Sequence, residues 1–254
     1  MSDLSGTTTR SSGPASALLA ALPPADEALT RSDVYLFLAR GFAYPQQPLD
    51  AAYQRARDAL AALGAPQTTA FDALAPPPPE RLEQAFLATF THTTPNEFPP
   101  YETQYGRAIL FQQPHALAEL AALYRAFGLA PARGERSDHV ATELEFMYFL
   151  CYKEAFARVA GNLVGAERCR EGEHHFLERH LGPWAPLFFR RLRGHAEGFY
   201  ADLAALAAAW LAQEIERLGV RPTLLMEEDL LAAQRLEQAL DRASQAAAPC
   251  EEGP

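Results

Sequence analysis

Lysine is almost missing from this chain: 21 of its 22 basic residues are arginine, and Lys153 stands alone. With alanine and proline abundant, that skew reads as coding bias rather than a task for guanidinium groups. Cysteine is scarce too. Cys151, Cys169 and Cys250 are odd in number and fit no zinc or CxxC spacing, which excludes a disulfide framework and favours a reducing compartment. No apolar run approaches the ~20 residues needed to span a bilayer. The run Ala15–Leu22 is short, with only Arg10 before it, so it reads as part of a disordered tail and not as a signal peptide. No segment shows two-residue alternation with β-branched enrichment and hairpin turns, and no fixed-period repeat is present. A Gly-x-Ser-x-Gly elbow, a phosphate loop and a dinucleotide fingerprint are all lacking, so no enzyme class is signalled. The formal charge of −10 disfavours nucleic acid and anionic membranes as partners and favours a basic one.

What remains is helical pattern. Apolar residues recur at three- and four-residue steps from Asp26 to Pro45, and again over Leu49–Leu63, Glu80–Phe90, His115–Phe127, Asp138–Ala160, Glu167–Leu181, Trp184–Arg193, Phe199–Leu218 and Glu227–Ala243. Gly64 and Gly128 stand just past two of these runs, where a left-handed cap residue fits. Pro66–Pro79 reads as a stiff linker and residues 91–106 as a loop rich in proline and aromatics. The expected fold is all-α: one helical-bundle-like domain of about eight to ten helices, with disordered N- and C-terminal tails. Residues 1–25 are the first tail, 26–220 the helical domain, and 221–254 an acidic C-terminal helix and tail. From Gln213 onward there are nine acidic residues against four basic.

The densest chemistry lies in Ser137-Asp138-His139-Val140-Ala141-Thr142-Glu143-Leu144-Glu145-Phe146-Met147. At about 100° per residue, Val140, Leu144, Met147 and Cys151 form one core stripe. His139 and Glu143 lie together beside that stripe, and Glu145 points to the far side. Asp138 at the helix start reads as an N-cap carboxylate. Asp138, His139 and Glu143 can therefore converge at a partly buried border. Three uses compete: metal ligands, catalysis, or one wall of a recognition groove. The Asp138-His139 pair has no Glu-x-x-His spacing of its own, so the two matching helices that a di-iron bundle requires are not present, and His174, His175, Glu178 and His180 do not form His-Glu-x-x-His. A nucleophile with a local signature is also missing. A groove is the reading that uses more of the chain, with Phe98, Tyr101 and Tyr105 as the opposite wall. The alternative is a metal-dependent helical enzyme with Asp138, His139 and Glu143 as ligands.

The segment SDHVATELEFMYFL resembles the signature helix of the TorD/DmsD/NarJ-type assembly chaperones, the redox enzyme maturation proteins. Pro99-Pro100-Tyr101-Glu102-Thr103-Gln104-Tyr105 is similar to that family's Pro-Tyr-Glu loop. Phe176-Leu177-Glu178-Arg179-His180-Leu181-Gly182-Pro183-Trp184 is similar to its His-Leu-x-x-Trp segment, with Phe199-Tyr200 following. The resemblance runs from about Arg31 to Leu218. It departs where members often carry a proline just before the Asp-His pair: here the approach is Arg133-Gly134-Glu135-Arg136-Ser137.

The resemblance implies a non-enzymatic cytoplasmic chaperone with no cofactor and no catalytic or metal residues. Its partner would be the apo catalytic subunit of a molybdenum or tungsten (molybdopterin-dependent) oxidoreductase, together with that subunit's twin-arginine leader peptide. The chaperone would hold both before cofactor insertion and export. It would act as a monomer or a helix-swapped homodimer, without membrane insertion. By motif match the leader-binding residues are Asp138 and His139 with Tyr101 and Glu102. The wheel adds Glu143, and the aromatic loop adds Tyr105.

Overall fold

A computed structural model of the chain describes residues 23–67, 71–72, 74–91, 98–105, 113–131 and 134–247. Residues 1–22 of the tail expected at 1–25, and residues 248–254 of the C-terminal helix and tail expected at 221–254, lie outside these, while Pro24 and Ala25 already belong to the first helix. The described chain is helical: α1 Pro24–Phe42, α2 Asp50–Ala62, α3 Pro79–Phe90, α4 Gln113–Ala126, α5 Val140–Val159, α6 Leu163–Phe176, α7 Gly182–His195, α8 Phe199–Leu218 and α9 Glu227–Ala247. A 3₁₀ turn, Glu102–Gln104, lies in the aromatic loop, and a π-turn, Leu177–Leu181, joins α6 to α7. Among the described residues no helix is long and apolar enough to cross a membrane.

Helix α1 is the axis of the molecule. Pro24 opens it, where a missing N–H costs nothing, and Asp26 and Glu27 in the first turn complement the helix dipole. Apolar residues then surround it instead of forming one stripe: Val34, Tyr35, Phe37, Leu38 and Phe42 are all buried. A helix of that kind must be covered on several sides. Helices α5, α2 and α8 cover it. Gly41 makes room for α8, since a Cβ there would meet Leu203 Cδ2 of that helix at 2.8 Å.

Pro66–Pro79 is not a free linker. Phe71 is fully buried and stacks on Tyr53 of α2, with ring centroids 4.7 Å apart, and Leu74 is buried beside it. These two apolar side chains suffice to pin the segment to the core. The junction between α6 and α7 also differs from expectation. The sequence breaks the helix between Leu181 and Trp184, but the chain continues through the π-turn. At Gly182 a Cβ would lie 2.0 Å from the Leu177 carbonyl, so only glycine lets the widened turn close. That turn brings His180 and Trp184 toward the aromatic loop.

Four helices meet around a buried charge cluster. Arg31 of α1 donates from Nε to both Glu214 oxygens (3.1 and 2.9 Å) and from Nη2 to Glu214 and Glu173 at 2.6 Å each. Glu154 is 3.8 Å from Nη1. At the rim Arg158 pairs with Glu154 at 2.6 Å, and Arg217 pairs with Glu214 at 3.0 Å and also with Glu27. Three carboxylates thus face three guanidiniums. Burial pushes the Glu173 carboxyl up to about 7 even with Arg31 opposing it. The neighbouring Cys151 thiol is pushed up by burial as well, so it stays an unreactive core thiol.

Candidate functional site

The aromatic loop and the approach to α5 pair as two short extended segments. The Glu102 N–H donates to the Asp138 carbonyl (2.9 Å) and the Val140 N–H to the Pro100 carbonyl (2.8 Å), with Tyr101 and His139 opposite each other in an antiparallel bridge. Thr103, in the 3₁₀ turn, and Arg136, at the start of the turn that precedes His139, both reach Asp138 and lock it. Asp138 Oδ2 accepts from Thr103 Oγ1 at 2.6 Å and from Arg136 Nη2 at 2.7 Å, while Oδ1 accepts from Arg136 Nε at 2.9 Å. Gln113 of α4 donates to the same Thr103 hydroxyl at 2.9 Å. Burial opposes ionisation of Asp138, but the bonds from Arg136 and Thr103 outweigh it and hold the carboxyl below its usual range. The Arg136 guanidinium also lies 4.2 Å from the centre of the Tyr101 ring.

The expected N-cap role of Asp138 is corrected by this geometry. Its carboxylate is spent on Arg136 and Thr103, and the cap is His139, whose Nδ1 accepts the Ala141 N–H at 3.1 Å. An accepting Nδ1 must be unprotonated, which assigns the neutral ring with its proton on Nε2. Burial lowers the His139 pKa to about 4, and the positive charge of Arg136 adds to that against the pull of Asp138. The ring meets Tyr101 edge-on at 5.2 Å.

One turn further, Glu143 is fully buried and accepts the Trp184 indole N–H at 3.1 Å. Tyr105 packs on Trp184 with centroids 5.2 Å apart. Glu102 lies near Glu143, and His180 Nδ1 is 3.2 Å from Glu102 Oε1. Burial first, and the charge of Glu102 second, push Glu143 well above the usual carboxylate range. The structure therefore gathers all six residues singled out from the sequence, but in two layers. Tyr101, Glu102 and His139 are partly exposed, and Tyr105, Asp138 and Glu143 are buried beneath them. Glu145 is outside the group, as its place on the wheel requires. Arg136 and Thr103 were missed. Neither carries a local signal, because Arg136 reaches Asp138 through the turn before His139 and Thr103 reaches it from the 3₁₀ turn of the facing loop. As metal donors Asp138, His139 and Glu143 are each committed to a different protein partner. Among the described residues no three His, Cys, Asp or Glu groups converge to hold an ion.

Replacing Glu143 with glutamine keeps an acceptor for Trp184 and removes the clash with Glu102. The folded pKa of Glu143 is raised, so the wild type loses stability as pH climbs above about 4.5. E143Q lacks that loss. It should be more stable than wild type by at least about 1 kcal/mol at pH 7 and by much less at pH 4.5, as read by urea unfolding.

The fold is that of an all-α protein, and the polar groups of this two-layer site are engaged with one another. More narrowly, the chain belongs to the nitrate reductase delta subunit family, whose model matches residues 45–190, from the start of the α2 region through most of α7. A selenate reductase assembly chaperone protein of Thauera selenatis is 34% identical over 113 residues, 44% of this chain and 57% of its own length. A perchlorate reductase assembly chaperone protein of Dechloromonas aromatica is 29% identical over 210 residues, 76% of this chain and 92% of its own. The chaperone protein TorD of Salmonella bongori is 27% identical over 149 residues, 58% of this chain and 62% of its own. The chain thus spans little more than half the length of the first of these relatives and nearly all of the second.

Proposed function

We propose that this protein is a cytoplasmic assembly chaperone. Its client is the catalytic subunit of a molybdenum- or tungsten-cofactor oxidoreductase, held together with its twin-arginine leader before cofactor insertion and export. The observation that carries this reading is the match to the perchlorate reductase assembly chaperone over 92% of that protein's length. The site supports it. Tyr101, Glu102 and His139 form the accessible layer, which offers an aromatic face and one carboxylate to a basic and apolar peptide. Asp138, Glu143 and Tyr105 are positioning residues that hold this layer from below. The large apolar side chains Tyr152, Phe156, Val159, Leu163 and Val164 are exposed along α5 and the start of α6, a surface suited to an unfinished client.

Affinity purification of the tagged chain from its native host tests the reading. The expected result is co-purification of an oxidoreductase catalytic subunit lacking its cofactor. Recovery of no such subunit, or only of the cofactor-loaded enzyme, would sink the proposal. Tyr101→Ala should weaken capture about tenfold, because a half-exposed aromatic anchor is lost while Asp138 keeps its own bonds.

A further inference from the structure

Helix α5 has a second polar face. Opposite Glu143, a cleft of about 360 Å³ opens between α5 and the Leu129–Pro131 stretch after α4. Phe146, Tyr148 and Phe149 of α5 wall it on one side, and Leu129 and Pro131 on the other. Two carboxylates line it, Glu145 on α5 and Glu135 on the segment leading to Asp138. Neither is in an ion pair among the described residues. Partial burial raises the Glu145 pKa first and the like charge of Glu135 adds to it, while Arg40 opposes both. Burial raises the pKa of the Tyr124 hydroxyl, deeper in the cleft, and the acidic groups Glu143, Glu102, Asp138 and Glu145 add to that. The lining therefore combines aromatic rings with two carboxylates, and among the described residues it contains no cationic side chain. Lys153 already places its ammonium 5.1 Å from the Phe149 ring at the edge.

We propose that this cleft is an arginine pocket: it takes one arginine side chain of an apolar peptide segment, with the guanidinium held between Glu135 and Glu145. A planar guanidinium satisfies both demands of the lining, because it forks between carboxylates and stacks on aromatic rings. An ammonium does only the first well. The flanking apolar residues of the peptide have Leu129, Pro131 and Phe149 to lie on. The pocket shares the Glu135–Thr142 segment with the Tyr101 layer, since Thr142 lines the cleft and donates from Oγ1 to the Arg136 carbonyl at 3.1 Å. An arginine in the cleft and an apolar stretch over Tyr101 can belong to one bound peptide. This deepens the chaperone reading and rests on it for the origin of the peptide, not for the chemistry of the cleft.

Calorimetric titration of the full chain with a short synthetic peptide, two adjacent arginines followed by leucine and phenylalanine, is the test. The same peptide with lysine or with citrulline in place of arginine gives the controls. Glu135 and Glu145 are surface residues, so Glu135→Gln with Glu145→Gln should fold as wild type and weaken the arginine peptide about tenfold or more. The lysine and citrulline peptides should bind the wild type about tenfold more weakly or worse. Equal affinity for arginine and citrulline, or no change in the double variant, overturns the assignment. Pull-downs separate the two readings. If wild type and double variant capture the same amount of client subunit, the cleft assignment falls and the chaperone reading stands. If the wild type captures none, the chaperone reading falls, and the peptide series alone decides the cleft.

Discussion

Arg31→Ala is expected to cost about 3–5 kcal/mol of stability, a large share of what a domain of this size holds. The reason is the company Arg31 keeps. Its guanidinium is 2% exposed and sits against Glu214, Glu173 and Glu154, themselves 2% exposed or less. Removing it leaves three carboxylates with only the rim cations Arg158 and Arg217. The loss should depend on pH in a defined direction. Without Arg31 the buried carboxylates lose their main cation and are harder to ionise, and the Glu173 pKa, already raised by burial, rises further above that of the unfolded chain. Groups shifted that way lose stability as pH rises, so R31A should be hurt more at pH 8 than at pH 5. Salt should matter little, because ions cannot enter a buried cluster to screen it. Urea unfolding at two pH values and two salt concentrations checks all three points. A cost below about 1 kcal/mol would falsify the claim that Arg31 organises the cluster. Replacing all four charged residues with apolar ones of similar volume is the informative companion. Buried ionic clusters often exchange for hydrocarbon at little net cost, so that variant should recover much of what R31A loses.

That cluster was invisible in the sequence for a physical reason. Glu154, Glu173 and Glu214 each sit in a separate helix, where any one of them reads as a solvated charge. Only the meeting of α1, α5, α6 and α8 turns them inward. Features set by one segment were legible. Helix α8 runs Phe199–Leu218 as its periodicity requires, because Gly198 and Gly219 flank it in backbone conformations that suit glycine. The border position of Glu143, the exclusion of Glu145 and the core placement of Cys151 also follow from the wheel alone. What depends on a second segment was not legible. Asp138 was read as a cap because nothing in Ser137–Met147 reveals that Thr103 lies opposite it. His139 becomes the cap because pairing with Pro100–Glu102 holds it extended just before the first helical residue. Pro66–Pro79 was read as a linker because its prolines outweigh Phe71 and Leu74, whose burial depends on Tyr53 being within reach. The Glu135–Glu145 cleft needs Leu129–Pro131 as its far wall, and no local pattern announces that.

Acid should loosen the site at His139 before it reaches the rest of the fold. The folded ring titrates at about 4 and the unfolded one near 6.5. Between those values the unfolded chain binds the proton that the folded one refuses. A histidine depressed in this way contributes stability that is fully present above pH 6.5 and lost as pH falls toward 4, about 3 kcal/mol in all. Protonation also removes the Nδ1 lone pair that caps α5, which ties the electrostatic loss to a structural one. Two other groups work in the opposite sense. Glu173 and Glu143 have raised pKa values, so their contributions improve as pH falls and partly hide the histidine in the raw profile. The difference between wild type and His139→Asn isolates it. Asparagine is a good N-cap acceptor and does not titrate in this range. Over pH 7 to 4 the wild type should therefore lose about 3 kcal/mol more than H139N does. Asp138, held below the usual carboxylate range, adds a further loss only at lower pH, and that loss is common to both proteins. Parallel profiles for the two proteins across pH 4–7 would mean that the His139 ring is open to water. The bridge between Tyr101 and His139 would then close only when a peptide covers it.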